Sequence, residues 1–365
     1  MKICVARGEL LEALSVAGKG LSSRTTLPIL SGILVSASGD DVVLQSTDLE
    51  VSIRDSIKAN VEKEGQVVVP GRLITDIIRS LPEAAVTIDA TAHDHAVISC
   101  GHSSFTVRTL SPEDFPKFPE VHAEKTVSIP TGMLVDVVRQ VSKAVSRDET
   151  RPILTGVLVV IEGDSLRMVA TDSYRLAVRE VVLSSAVAEP IEVVVPGKAM
   201  EEVPKLAGAA EEVTLGVSEN QVVFEFGNTV YVSRRIEGNF PNYRQLIPKE
   251  KETVVTVGRQ ELFDAIKRVS LMAQHNAPLR LKVTESTLTL SATTADVGEA
   301  VEDLMVQTEG KDVEIAFNHA FLTDGVASIT TEQVTIEILS PLKPGVLHPV
   351  GDEILTYLLM PVRLG

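Results

Sequence analysis

Two histidines flanking a carboxylate, His93-Asp94-His95, make the densest cluster of metal-ligating types in this sequence. A zinc site draws three or four such groups from spaced segments, as in His-Glu-x-x-His or paired Cys-x-x-Cys. Neither pattern accompanies the cluster, and the seven histidines are scattered. No metal site is therefore expected. His102 beside Ser103 supplies the types of a base and a nucleophile, but no Gly-x-Ser-x-Gly elbow presents the serine. Ala17-Gly18-Lys19-Gly20 lacks the Gly-x-x-x-x-Gly-Lys-Ser/Thr spacing that cradles phosphates, and no Gly-x-Gly-x-x-Gly follows a strand. Asp48 and Asp172 each follow a threonine at equivalent places. A shared carboxylate pair is one reading, and a turn capped by each Asp side chain is the better one. No acid, base and nucleophile converge, so neither catalytic residues nor a cofactor are expected, and a structural or binding role is favoured.

The elements that would position these residues come in copies. Pro28-Ile29-Leu30-Ser31-Gly32 recurs as Pro152-Ile153-Leu154-Thr155-Gly156, and Thr47-Asp48-Leu49-Glu50-Val51 as Thr171-Asp172-Ser173-Tyr174-Arg175, both 124 residues on. Val69-Pro70-Gly71-Arg72 recurs as Val195-Pro196-Gly197-Lys198 and Phe115-Pro116 as Phe240-Pro241 at nearly the same offset. A fainter third copy places Pro278-Leu279-Arg280-Leu281 at the Pro-Ile-Leu position and residues 293–301 at the Thr-Asp position. Three copies account for all 365 residues. Domains are expected at 1–122, 123–249 and 250–365, with the charge run Lys249-Glu250-Lys251-Glu252 at the second junction.

Within a copy, a strand is followed by a helix. Leu134, Val138, Val141 and Val145 mark it in the second copy, and Leu262, Phe263, Ile266 and Val269 in the third. Strands broken by Gly39-Asp40 or Gly163-Asp164 turns come next. A second helix over 71–81 follows, with Ile74, Ile77, Ile78 and Leu81 on one face and Pro82 to stop it. More strands close the copy. Two helices against a mainly antiparallel sheet make an α+β unit.

Composition narrows the class. Hydrophobic residues at 44% and charged residues at 23% exclude disorder of the whole chain. Aromatic content of 4% without Trp argues against gripping single strands by stacking. Cys4 and Cys100 read as reduced thiols, and no stretch of 18 apolar residues exists to span a membrane. A soluble cytosolic protein is expected. The net charge of −16 counts against a nucleic-acid partner until the charge is located. The six helical windows sum to +4, so the rest carries −20. A mildly basic helical face set in an acidic molecule is the favoured reading.

The chain resembles the bacterial DNA polymerase III β subunits, the sliding clamps, over essentially its whole length. The resemblance rests on Thr26-Leu27-Pro28-Ile29-Leu30, on Ala170-Thr171-Asp172-Ser173-Tyr174-Arg175-Leu176-Ala177, on Phe240-Pro241-Asn242-Tyr243 and on Tyr357-Leu358-Leu359-Met360-Pro361-Val362-Arg363-Leu364. It implies a DNA-clamp fold of three repeated domains and a head-to-tail ring homodimer. Helices would line the hole and hold double-stranded DNA topologically, without reading sequence. Matching positions imply DNA-facing Arg24, Arg72, Arg79, Arg147 and Lys198. They imply a pocket for partner peptides formed by Leu154, Thr171, Ser173, Tyr174, Arg175, Leu176, Pro241, Leu246, Leu358, Met360, Pro361, Val362 and Arg363. A dimer interface would set Phe105 and Val107 against Leu271 and Met272, with Glu299, Glu302 and Asp303 near. Implied partners are the polymerase III alpha subunit, a clamp loader, and other polymerases and repair proteins carrying short clamp-binding peptides. The implied location is cytoplasmic and nucleoid-associated. A repeat scaffold that binds proteins but not DNA is the alternative. Gln245, the longer loop from Lys343 to Ile354, Gly365, and His102-Ser103-Ser104 depart from the family pattern, which bears on peptide preference and on interface ion pairs.

Overall fold

The computed structural model describes residues 1–22, 26–92, 94–120, 122–274, 277–351 and 354–363. It forms two compact units, residues 1–131 with 202–235 and residues 132–201 with 236–365. These units do not follow the three repeats, because strands of the middle repeat join sheets begun by each of the others.

The first unit holds two sheets. One runs β5 (Asn60–Lys63), β1 (Lys2–Ala6), β7 (Ala85–Asp89), β8 (His95–Cys100), β9 (Ser103–Arg108). The other runs β10 (Lys125–Pro130), β15 (Glu212–Val217), β16 (Gln221–Phe226), β17 (Thr229–Arg234), β4 (Val51–Lys58), β3 (Asp41–Thr47), β2 (Gly32–Ser38), β6 (Gly65–Pro70). The second unit has a nine-stranded sheet: β14 (Ile191–Pro196), β11 (Gly156–Glu162), β12 (Ser165–Thr171), β13 (Arg175–Val182), β26 (Leu355–Leu359), β25 (Gly345–Pro349), β24 (Gln333–Ile338), β18 (Thr253–Gly258), β22 (Gln307–Gly310). Its smaller sheet runs β21 (Gly298–Met305), β20 (Thr287–Thr294), β19 (Leu279–Val283), β23 (Val313–Phe317). Every described pairing is antiparallel, from β1–β7 to β25–β26.

The helices fall where apolar spacing and the repeat place them: α1 (Arg7–Ala17), α2 (Gly71–Ser80), α3 (Thr131–Val141), α4 (Gly197–Leu206), α5 (Arg259–Val269) and α6 (His319–Ser328). Ile74, Ile77 and Ile78 turn into the core of the first unit. Leu262, Ala265, Ile266 and Val269 are the buried stripe of α5, while Phe263 is half-buried under Lys267. Val145 lies beyond the end of α3, after a short turn of 3-10 helix over Ser142–Ala144. The Gly-Asp turns form as read, with Gly39 and Gly163 at φ 58° and 60°, a conformation open to glycine at little cost.

The repeat is visible in the backbone itself. Among the described residues, three non-glycine residues have positive φ: Leu49 at 76°, Ser173 at 79° and Asp296 at 65°. They are spaced 124 and 123 residues apart, and each stands between a threonine and an eight-residue strand: β4, β13 and β21. The third repeat, faint in sequence, is thus fixed by a conformation that L-residues adopt rarely.

Candidate partner-docking site

The Thr-Asp turn is built the same way in the first two repeats. Thr171 Oγ1 donates to the Arg175 carbonyl at 2.7 Å and accepts from the Ser173 amide at 3.2 Å. Asp172 Oδ1 accepts the amides of Tyr174 and Arg175, both at 2.9 Å. Thr47 Oγ1 likewise donates to the Val51 carbonyl and accepts from Leu49, while Asp48 Oδ1 accepts from Glu50 and Val51. The two aspartates therefore cap turns, the role expected of them, and each spends one carboxylate oxygen on backbone donors.

In the second repeat this turn carries additional chemistry. Arg175 Nε donates to Asp172 Oδ2 at 3.1 Å. Its Nη1 reaches Asp324 Oδ2 at 2.5 Å and Tyr357 Oη at 3.2 Å. The guanidinium carbon lies 4.4 Å from the Phe321 ring centroid. Burial alone would lower the Arg175 pKa, but Tyr357, Asp324 and Asp172 outweigh it and hold it above the ordinary value. Burial pushes the Tyr357 phenol up. Arg175 thus fastens the turn to α6 and to β26, and Tyr174 stacks on Phe321 with centroids 6.3 Å apart.

The C-terminal segment closes the constellation. β26 pairs with β13 so that Leu358 faces Leu176, and the Met360 amide donates to the Tyr174 carbonyl at 2.8 Å. The Val362 amide donates to the Ala316 carbonyl at 2.8 Å. Leu176, Leu358, Val346 and Tyr243 share one apolar cluster, with Ile247 packed against it. Tyr174 is 61% exposed and Met360 42% exposed, and Leu246 and Pro241 are also open to solvent. The result is an apolar floor with an adaptable rim of Tyr, Leu, Met and Pro.

Most of the expected pocket residues come together here. Thr171, Leu154, Leu176 and Leu358 are buried. Thr171 serves the turn, and Leu154 is the buried residue of a 3-10 turn over residues 152–155. Ser173 is committed to a 2.9 Å bond from Arg151 Nη1. Arg151, Phe321, Asp324, Tyr243 and Tyr357 belong to the site and were not expected. Phe321 and Asp324 carry no motif and reach Arg175 only through the pairing of sheet and helix. Tyr243 and Tyr357 stood within segments quoted for the resemblance.

Arg72 and Arg79 are exposed on α2, although Arg79 pairs with Asp76 at 2.8 Å. Arg147 is exposed after α3, and Lys198 is exposed in the first turn of α4. Arg24 and His93 lie outside the described residues. Asp94 pairs with His95 at 2.7 Å in the open, and among the described residues no group of three metal-ligating side chains converges.

Of the interface residues, Leu271 is 69% exposed, Phe105 is partly exposed and Met272 half-buried. Val107, on the edge strand β9, is 5% exposed, because it faces Ala96 across the β8–β9 hairpin on the core side of its sheet. Glu299 and Asp303 are exposed on β21, whereas Glu302 is already gripped by Arg268 through two bonds.

Family models for the DNA polymerase III beta subunit match in series: the N-terminal domain over residues 1–119, the central domain over 128–242 and the C-terminal domain over 244–363. The chain belongs to the DNA polymerase III beta subunit family. It is 38% identical to the beta sliding clamp of Streptomyces coelicolor over the whole of both chains. The crystal structure of the Bacillus subtilis DNA polymerase sliding clamp superposes with a TM-score of 0.96 at 31% identity, covering all of both chains. That of a Pseudomonas aeruginosa sliding clamp bound to griselimycin gives 0.95 at 28% identity, again over the full length of both. The fold is the three-domain clamp fold, and the family is non-catalytic. Among the described residues, no helix is long and apolar enough to cross a membrane.

Proposed function

We propose that this chain is a sliding clamp that encircles duplex DNA as a head-to-tail pair and tethers DNA polymerase III to its template. The observation that carries this reading is an unfilled place in the repeat. β4, the strand after the first Thr-Asp turn, pairs with β17, the last strand of the second repeat. β13, after the second turn, pairs with β26, the last strand of the third. β21, after the third turn, is an edge strand, and so is β9, the last strand of the first repeat. A second copy would supply the missing pairing at each end, and two such pairings close a ring. Carrying over the β4–β17 register sets Gly298 opposite Val107 and Ala300 opposite Phe105 in the other copy. Leu271, Met272, Glu299 and Asp303 would flank the joint. Closure also removes two exposed edges.

In this reading the domains are 1–122, 123–249 and 250–365. Arg24, Arg72, Arg79, Arg147 and Lys198 face the phosphates, attracting them weakly enough to permit sliding. The rim of Tyr174, Leu246, Met360, Pro361, Val362 and Arg363 over the Leu176–Leu358 floor takes short peptides from the polymerase alpha subunit, the clamp loader and repair proteins. The protein works in the cytoplasm, on the nucleoid.

Loading onto nicked circular DNA tests the ring. The protein should remain on the circle through gel filtration and be lost when one cut makes the DNA linear. Equal retention on circle and line would overturn topological holding. Ending the chain at Leu359 tests the docking site. It should abolish peptide binding, since the Met360 and Val362 backbone bonds go with it, while the sedimentation mass stays that of two shortened chains. Undiminished peptide affinity would refute the pocket.

A further inference from the structure

Beyond the docking floor, the same face of the nine-stranded sheet opens to solvent only at the end of β13, where Val178 is buried, Glu180 half-buried and Val182 exposed. Leu176 and Val178 belong to the apolar cluster beneath Tyr243. Side chains alternate along a strand, so Glu180 and Val182 follow on that face. They line an open cavity of about 290 Å³ with Val178, Val181, Ile354 and Thr356. Val182 is 66% exposed and Ile354 45% exposed, two aliphatic side chains in water at adjoining strand ends. Beside them stands a fixed carboxylate. Glu180 accepts from Ser165 Oγ at 2.7 Å and from Arg167 Nε at 2.9 Å. These two bonds hold its pKa below the usual carboxylate range despite partial burial.

We propose that the docking cleft continues along β13 and β26 into this cavity, which takes an apolar side chain from the sequence flanking a partner's docking peptide. This rests on the docking reading above. The occupant follows from continuity and chemistry. Val178 is shared by the floor and the cavity, so a bound chain leaving the floor along the strands meets the cavity next. From Leu176 to Val182 is six residues, about 20 Å at about 3.3 Å per residue, so about six residues of flank span it. Val182 and Ile354 accept an apolar side chain. Glu180 is already paired with Arg167 and has Arg244 near, so the polar wall of the cavity is neutralised and the occupant is selected by the aliphatic pair.

Overlapping synthetic peptides from the DNA polymerase III alpha subunit would first define the shortest docking core. That core would then be extended on one side or the other by six residues with Leu fifth and serine at the other positions. By fluorescence anisotropy, one extension should bind the full-length chain about tenfold tighter than the core, the gain from burying one aliphatic side chain. Val182→Asp should reduce that gain below twofold and leave core affinity unchanged. The milder pair Val182→Ala and Ile354→Ser should reduce it too, with thermal melts showing that each variant is folded. A core that binds while neither extension adds affinity overturns the extended cleft alone. A gain that survives in the folded variants also overturns it. A wild-type chain that binds no core peptide overturns the docking site and its extension together.

Discussion

At the residue scale, Arg175 decides whether the docking surface exists in one piece. Its guanidinium serves Asp172, Asp324 and Tyr357 while lying on Phe321. Replacing it by Met keeps most of the volume and leaves two carboxylates without their cation. Removing one member of such a buried group typically costs about 3–5 kcal/mol. Arg175→Met should therefore lose about 3 kcal/mol in urea unfolding of the second unit, whereas Arg151→Met, on an exposed arginine, should lose less than about 1 kcal/mol. Equal losses would show that the Arg175 cluster is not structural. Asp55 makes a contrasting case. Burial raises its pKa, and the 2.9 Å bond from Thr229 only partly offsets this. A carboxyl raised in the folded state contributes stability below its unfolded pKa and loses it as pH rises through the folded one. Asp55→Asn keeps the acceptor for Thr229 and removes the charge. It should raise the melting temperature at pH 7 and leave it unchanged near pH 3. A lower melting temperature at pH 7 would contradict this sign.

At the element scale, what was legible in the sequence was local. Apolar spacing marked α2, α3 and α5 and the repeat placed the other three helices, and the Thr-Asp motif found the turn that places β4 and β13. What was not legible depended on pairings between distant strands. The middle repeat divides between two units because β17 joins β4 and β13 joins β26, and no periodicity announces a partner 180 residues away. Phe105 and Val107 share one face of β9, yet only Val107, opposite Ala96, is buried, while Phe105, opposite Ile98, is 37% exposed. Edge strands are where this level makes its own prediction. Leu271 is exposed in one chain beside the end of α5, and a glutamate there costs the isolated chain little. In the pair it would place a charge in an apolar joint beside Glu299. Leu271→Glu should shift the sedimentation mass from twice 39.2 kDa toward one chain, with the melting temperature of the monomer unchanged within about 2 °C. A dimer as tight as the parent would remove Leu271 from the interface.

At the scale of the whole molecule, charge and topology pull in different directions, and their balance is measurable. The chain carries −16, which repels DNA at long range, while the six helical windows carry +4. Binding by phosphate contact alone loses affinity steeply with salt, by about 0.9 in log–log slope for each phosphate neutralised. A closed ring has no such dependence once loaded, because leaving a circle requires opening the protein and not breaking ion pairs. The two contributions separate in one experiment. With Arg24, Arg72, Arg79, Arg147 and Lys198 all changed to serine, loading and processive synthesis should fall severalfold at low salt. The mass should stay that of two chains. Once loaded, wild type and variant should persist equally on a nicked circle as salt is raised from 50 to 500 mM (about a threefold fall in the screening length). If instead the loaded variant is washed off at a salt where wild type remains, the five side chains hold the DNA directly, and the ring is not what retains it.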